Sequence, residues 1–334
     1  MGKRILVGIS VYRDWEYLDL LLQSIHWYSK YKEDEEFDLV VCDDGTRSHD
    51  EDMANKIADT AAKYGVPFIE HPRNMGIPTT WNHLCDSFST DSEIIVLLNN
   101  DIIVPPNWLR VAVHFLDANK DNPQVGTCFW NPVNRVPKET MRNLLPLMGH
   151  TTFITQDVKT GEPLNMLDLP NLESRVGQGQ GLGRVMCPCG PCFAFRRDVW
   201  KIAGPFNEAI QSFHEESWFG TTCAKLGRAS FGFAYPRPYH THGASFAANP
   251  ELEHSRRMTE SRKMYREAWG VPPEIPDGGP GNYFDYVNER LMSKIPLTSL
   301  KYLRPDYDQE PEVRTLVGGE EVELPRLIEF EEEF

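Results

Sequence analysis

The chain has 334 residues, 40% of them apolar and 25% charged, with a formal net charge of −15. That is enough apolar content for a large core, yet no run approaches the ~20 apolar residues of a membrane-spanning helix, and the acidic balance excludes an overall basic field for nucleic acid, leaving at most a local patch. Seven cysteines, an odd number, and an N-terminus "MGKRILVGIS" without a signal-like apolar region lead to the expectation of reduced thiols in a cytoplasmic protein, with peripheral membrane contact left open.

The predicted elements alternate between two periodicities. "RILVGIS" is a short apolar run of the kind buried on both faces of a sheet, and Leu18, Leu21, Leu22 and Ile25 then recur at helical spacing. "FDLVVCDDG" repeats the strand, Met53, Ile57 and Ala61 repeat the helical stripe, and Gly65 suits its C-terminal stop. "VPFIEHP" is a third strand. Pro78 fits the first turn of a helix whose stripe is Trp81, Leu84, Cys85 and Phe88. "EIIVLL" is the fourth strand, followed by the stripe Trp108, Val111, Ala112 and Phe115, and "VGTCFW" is the fifth. Buried strands joined by helical crossovers predict an α/β fold with a mostly parallel sheet and helices on both faces.

From Asn131 to about residue 185 the pattern dissolves into Pro, Gly, Asn and Thr, which predicts an insertion or flexible loop region. "GQGQGLG" (177–183) follows no strand and opens no clear helix, so it reads as a Gly-rich loop and not as a dinucleotide fingerprint. "CPCGPC" invites a structural zinc at Cys187, Cys189 and Cys192. A zinc site wants four ligands, and only Cys223 or a distant His could add one, so small buried packing residues are the simpler reading. Order returns from "GPCFAFRRDVWKIAGPFNEAI" through "YHTHGASF". A helix near 251–269 aligns Met258, Tyr265 and Trp269, leaving Arg256, Arg257, Arg262, Lys263 and Arg266 to an anionic acceptor or to solvent, with solvent preferred. The rest is rich in Pro and Gly and ends acidic, with eleven Asp/Glu against three Arg over 304–334.

Ligands of an open parallel sheet bind beyond the carboxyl ends of its strands. The sequence puts polar groups at four such ends: Ser10, Val11 and Tyr12; Asp43, Asp44 and Gly45; "HPRNMG"; and Asn99, Asn100 and Asp101. The first turn, "ISVYRDWEY", is not Gly-rich, which argues against hydride transfer with a nicotinamide. Phosphates bound here would need a divalent cation held by a carboxylate.

The ordered set "VGISVYRDWEYLDLLLQSI", "VVCDDGT", "HPRNMGIPTTWN", "LLNNDIIVPPNWL", "GPCFAFRRDVW", "GPFNE", "HEES" and "HTHGASF" resembles the GT-A glycosyltransferases of the family 2 type, over about Arg4 to Phe246. The resemblance implies a GT-A catalytic domain over 1–250, with a Rossmann-like nucleotide-sugar-binding half (1–130), the flexible insertion (131–185) and an acceptor and catalytic half (186–250). A C-terminal helix and acidic tail follow (251–334). It further implies a nucleoside-diphosphate sugar donor, with UDP-sugar favoured over dTDP- or GDP-sugar, a Mn2+ or Mg2+ ion, and inverting transfer to an acceptor hydroxyl. The acceptor stays open among glycan, lipid-linked sugar, protein and modified base.

Position by position, the resemblance implies nucleotide contacts at Ser10, Val11 and Tyr12. It gives the base to Asp43 or Asp44, with Asp44 preferred, and the nucleoside to Asn74, Gly76 and, more weakly, Asn82. Asn99, Asn100 and Asp101 stand at the family's Asp-x-Asp element, reduced here to one carboxylate: Asp101 for the metal and Asn100 for the ribose. A second metal ligand is expected from His240 or His242, which point the same way in an extended segment; His242, followed by Gly243 and Ser245, fits the family's pattern better. Glu215 and Glu216 match the catalytic carboxylates, Glu216 being the preferred base. Adjacent carboxylates repel, so one of them titrates higher. Trp218 stands where Asp is common, and Trp218 and Phe219 could stack on a sugar face or belong to the core. That departure and the Asn-rich metal element motivate the alternative of a non-catalytic nucleotide-sugar- or glycan-binding module on the same fold.

Overall fold

The computed structural model describes residues 4–28, 37–87, 91–105, 108–145, 182–233, 237–243, 249, 252–295, 315–317 and 320–322. In chain order the elements are β1 (Ile5–Val11), α1 (Trp15–Tyr28), β2 (Phe37–Asp43), α2 (Glu51–Lys63), β3 (Phe68–Glu70), α3 (Ile77–Ser87), β4 (Ile94–Asn99), β5 (Ile102–Ile103), α4 (Trp108–Ala118), β6 (Val125–Trp130), β7 (Val133–Asn134), α5 (Lys138–Leu144), β8 (Leu182–Val185), β9 (Cys192–Arg196), α6 (Arg197–Ala203), α7 (Glu215–Lys225), β10 (Ala229–Phe233), β11 (Tyr239–His240), α8 (His254–Ala268) and α9 (Tyr283–Met292). A small antiparallel pair, β12 (Thr315–Val317) and β13 (Glu320–Val322), follows.

The main sheet has the order β3-β2-β1-β4-β9-β6-β10-β8. The five strands expected from apolar runs are all present, and six of the eight strands run the same way. Only β8 and β9 are reversed. The expected insertion region contains β7, α5 and β8, and β8 closes the sheet edge on β10. Most of "GQGQGLG", and most of the acidic 304–334 segment, lie outside the described residues.

Strand alternation sends side chains to two apolar clusters, one on each face of the sheet. Ile5, Val7, Ile9 and Val11 of β1, with Ile94, Val96 and Leu98 of β4, meet α1, α2 and α4. Leu6, Ile95, Leu97, Phe193 and Phe195 meet Trp81 and Leu84 of α3, Trp200 of α6 and Phe219 of α7. Helices therefore cover both faces, and each fully buried Leu, Ile or Phe contributes about 1.5–3 kcal/mol by leaving water.

The C-terminal helices share this core. Tyr265, Tyr283, Val287 and Ile295 lie in the first cluster, and the Tyr265 hydroxyl is hydrogen-bonded to Thr221 Oγ1 of α7 at 2.6 Å. Helix α9, which the sequence reading passes over as Pro- and Gly-rich, starts at an Asn282 cap that accepts from the Phe284 and Asp285 N–H groups. All seven cysteines are free, and the Cys187 thiol donates to the Ser217 carbonyl. Among the described residues no helix is long and apolar enough to cross a membrane.

Candidate active site

The carboxyl ends of β1, β2 and β4 lie side by side, so the polar residues that terminate them are neighbours. At β1, Ser10 Oγ lies 3.5 Å from the Leu98 carbonyl, the Val11 carbonyl accepts the Asp44 N–H, and Tyr12 is buried with its ring edge-on to His49. At β2, Asp43 turns inward to accept from the Thr46 N–H and hydroxyl, and burial pushes its carboxyl up to about 6.

Asp44, 5% exposed, accepts four donors: the Met75 N–H at 2.8 Å, His71 Nδ1 at 3.1 Å, the Asn74 amide at 2.9 Å and the Gly76 N–H at 2.9 Å. A carboxylate has about four lone-pair sites, so this one is full. The structure thus brings Asp44, Asn74 and Gly76 together as expected, but with Asp44 as the post around which the 74–76 turn is wound. Two glycines permit the turn. Gly45 has φ +80 with the Arg73 backbone against it, and Gly76 has φ +93 where a Cβ would lie 2.6 Å from the Gln211 carbonyl oxygen.

Asn82 is placed elsewhere. Its amide donates to the Phe206 carbonyl and Glu208, and its oxygen accepts the Phe206 N–H, which clips α3 to the segment after α6. It lies about a turn and a half along α3 from the helix's start.

At β4, the Asn99 N–H donates to the Pro191 carbonyl, and the buried Asn99 Oδ1 has no hydrogen-bond partner among the described residues. The Asn100 amide donates to the Asp14 carbonyl, fixing the β1–α1 loop. Asp101, 6% exposed, stands 3.3 Å from His240 Nε2. The other ring nitrogen of His240, Nδ1, meets Asn134 Oδ1 at 2.8 Å, and only the histidine can donate there. That bond fixes the tautomer and turns Nε2 toward Asp101.

Of the two histidines expected as a second metal ligand, His240 is the one whose ring nitrogen lies against Asp101. The β11 strand ends at His240 and His242 takes a left-handed backbone (φ 65), and the two rings lie 5.5 Å apart, edge to face. Asn134, which sequence reasoning did not single out, comes from β7, paired with β11 at His240. Among the described residues no group of three or more His, Cys, Asp or Glu gathers as around a metal ion.

Glu215 and Glu216 open α7 after two consecutive non-glycine residues in left-handed backbone, Phe213 (φ 66) and His214 (φ 69). Such a turn costs energy and is held here by its surroundings. The His214 ring packs on Tyr265 and Phe284, its Nε2 lies 3.2 Å from the Tyr283 hydroxyl, and burial pushes it down to about 4. The Glu216 carboxyl abuts Gly190, where a Cβ would lie 3.1 Å from its Cδ. Since Gly190 precedes Pro191, which is bonded to Asn99, Glu216 stands beside the end of β4.

Burial pushes the Glu216 carboxyl up to about 6. Glu215, 6% exposed with an unpartnered Oε2, is raised well above the usual range by burial and then by the charge of Glu216. Trp218 is edge-on to Tyr265 and Trp269, and Phe219 is buried in the second core cluster, so both belong to packing.

A family model described as "Glycosyl transferase family 2" matches residues 6–202. No curated protein matches the chain by sequence. Among solved structures, the mannosyltransferase PcManGT from Pyrobaculum calidifontis, in complex with GDP-Man and Mn2+, is 15% identical over 87% of this chain and 70% of its own, with a TM-score of 0.51. S. aureus TarS 1–349 is 16% identical over 74% of this chain, which spans 62% of that structure, with a TM-score of 0.45. GalNAc-T7 with UDP, GalNAc and Mn2+ is 13% identical over 72% of this chain and 44% of its own, with a TM-score of 0.49. At these identities the likeness is one of fold, and PcManGT carries it.

Proposed function

Because the chain belongs to glycosyl transferase family 2, and is an enzyme of glycosyl transfer by that membership, we propose that it moves a sugar from a nucleoside-diphosphate sugar to an acceptor hydroxyl, with inversion at the anomeric carbon and with a divalent cation. The observation that carries this reading is the meeting of Asp101 and His240 at 3.3 Å beside the strand end that Glu216 also approaches.

The residues present fit such a cation. A carboxylate oxygen and an imidazole nitrogen whose partner nitrogen is tied to Asn134 suit Mn2+ or Mg2+, with the donor's phosphates to complete the set. When bound, the cation neutralises charge on the departing diphosphate. Ser10, Val11, Tyr12 and the turn held by Asp44 seat the nucleoside, and Asn100 fixes the neighbouring loop. Glu216, with a carboxyl near 6, is ionised at neutral pH and takes the acceptor hydroxyl's proton. Burial and the charge of Glu216 hold the Glu215 carboxyl well above the usual range. The acceptor oxygen bonds to the anomeric carbon as the bond from that carbon to the diphosphate oxygen breaks, and the electron pair leaves with the nucleoside diphosphate.

The test separates chemistry from binding. Glu216→Gln keeps the size of the side chain and removes its basicity, so transfer should fall roughly 10²–10⁴-fold at unchanged donor affinity. Glu215→Gln should cost less. If Glu215→Gln is the dead variant the roles are exchanged, and if neither matters the base is elsewhere.

A further inference from the structure

Helix α8 carries five cations, and four are matched by carboxylates. Arg256 pairs with Glu253 and Glu260, Arg262 and Arg266 with Asp277, and Lys263 with Glu267. Arg257 differs. It is half-buried, and its Nε is buried with no hydrogen-bond partner among the described residues. Burial, then Arg256, holds its guanidinium below the ordinary value, while Asp44 and Tyr12, across the chain at the strand ends, act against that shift.

Contacts between backbone segments explain how a helix so far along the chain comes to face this place. Ser261, one turn beyond Arg257 on the same side of α8, donates to the Ser212 carbonyl at 2.7 Å. The adjacent Gln211 carbonyl accepts the Ile77 N–H and touches Gly76. Helix α8 thus lies on the segment that lies on the 74–77 turn, with Arg257 on the side of α8 that meets it. Asp44 has no lone pair left for it, since four donors fill that carboxylate.

We propose that Arg257 reads the donor's base: the guanidinium, which only donates hydrogen bonds, points at the nucleoside end of the site and takes the carbonyl oxygen that uracil, thymine and guanine present at O4 or O6. Cytosine and adenine carry an amino group at that position, and their donors would face donors. The site therefore takes a keto-base nucleoside diphosphate and disfavours the amino bases. This rests on the glycosyl-transfer reading for the class of ligand, though not on the identity of the catalytic base.

The test is calorimetric titration of UDP, GDP, CDP and ADP with Mn2+ into the full chain, its Arg257→Gln and Arg257→Lys variants, and Asp101→Asn. The parent should prefer UDP or GDP. Arg257→Gln should weaken the preferred nucleotide about 10- to 100-fold, the range for a hydrogen bond from a charged group, and change CDP and ADP by less than about threefold. Arg257→Lys, which keeps the charge and loses the planar fork, should fall between. An unchanged unfolding temperature without ligand would show that the loss is not one of folding. An equal loss for all four nucleotides would overturn the proposal by moving the contact to the phosphates. No loss for any, with Asp101→Asn still abolishing binding, would overturn it while leaving the donor reading intact. If the parent binds none of the four, the donor reading itself fails.

Discussion

Asp44→Asn should destabilise the protein far more than an isosteric change at a half-open binding site would. The wild-type carboxylate faces two donors on each oxygen: the Met75 N–H and His71 on Oδ1, the Asn74 amide and the Gly76 N–H on Oδ2. In the asparagine, one of those positions becomes an NH2. His71 can answer by changing tautomer and Asn74 by flipping its amide, but the Met75 and Gly76 backbone nitrogens cannot change. Either orientation leaves one buried backbone N–H facing a donor, which costs about 1–3 kcal/mol, and the remaining bonds lose their charge assistance. A total of about 2–4 kcal/mol is expected, a large share of the ~5–15 kcal/mol that holds a domain together. Urea unfolding of both proteins, compared at matched slope, measures it. A loss under about 0.5 kcal/mol would refute the reasoning, because four satisfied donors cannot be re-partnered that cheaply.

Gly76→Ala should cost roughly 2–4 kcal/mol and weaken nucleotide binding, since φ +93 disfavours a side chain and the new Cβ meets the Gln211 carbonyl oxygen at 2.6 Å; thermal unfolding and nucleotide titration report the two effects. Asn134→Ala frees the His240 ring and should weaken Mn2+-dependent nucleotide binding by about 10- to 100-fold, read by calorimetry, with metal-free stability little changed. Burial pushes the Glu216 carboxyl up to about 6 from an ordinary 4.5, so the native state should bind the extra proton between those values. Its contribution to stability therefore falls as pH rises from 4.5 through 6 and is constant above. Transfer, which needs the ionised form, should rise through pH about 6 to a plateau, and Glu216→Gln should remove that limb from the rate profile; a limb that persists belongs to another group.

How much was legible depended on how local the signal was. The runs at Ile5–Val11 and Ile94–Asn99 announce strands because both faces are covered and every second residue must be apolar on each side. The reversal of β9 between β4 and β6 is a long-range pairing that no window of sequence contains. Helix α9 was concealed by the prolines and glycines before it, although Asn282 followed by Tyr283 and Val287 is a cap and a stripe that could have revealed it. The strand-end residues Ser10, Asp44 and Asp101 stood out as polar groups stopping apolar runs. What could not be read was the state of each side chain: Asp44 is filled by the 74–76 turn, His240 is tied to Asn134, and Arg257 is half-buried while the next residue along α8, Arg256, pairs at the exposed surface. Each of these depends on contacts between segments tens to hundreds of residues apart.

A nucleoside-diphosphate sugar should be cleaved at the end of β4 where Asp101 meets His240. The most direct measurement is release of nucleoside diphosphate from a panel of UDP-, GDP- and dTDP-sugars by the intact chain, with Mn2+, with a chelator in its place, and in Asp101→Asn. Release from one class of donor that is lost both on chelation and in Asp101→Asn is the expected result. Release that survives chelation and the substitution, or saturable binding of a donor with no release even when acceptors are supplied, would contradict it.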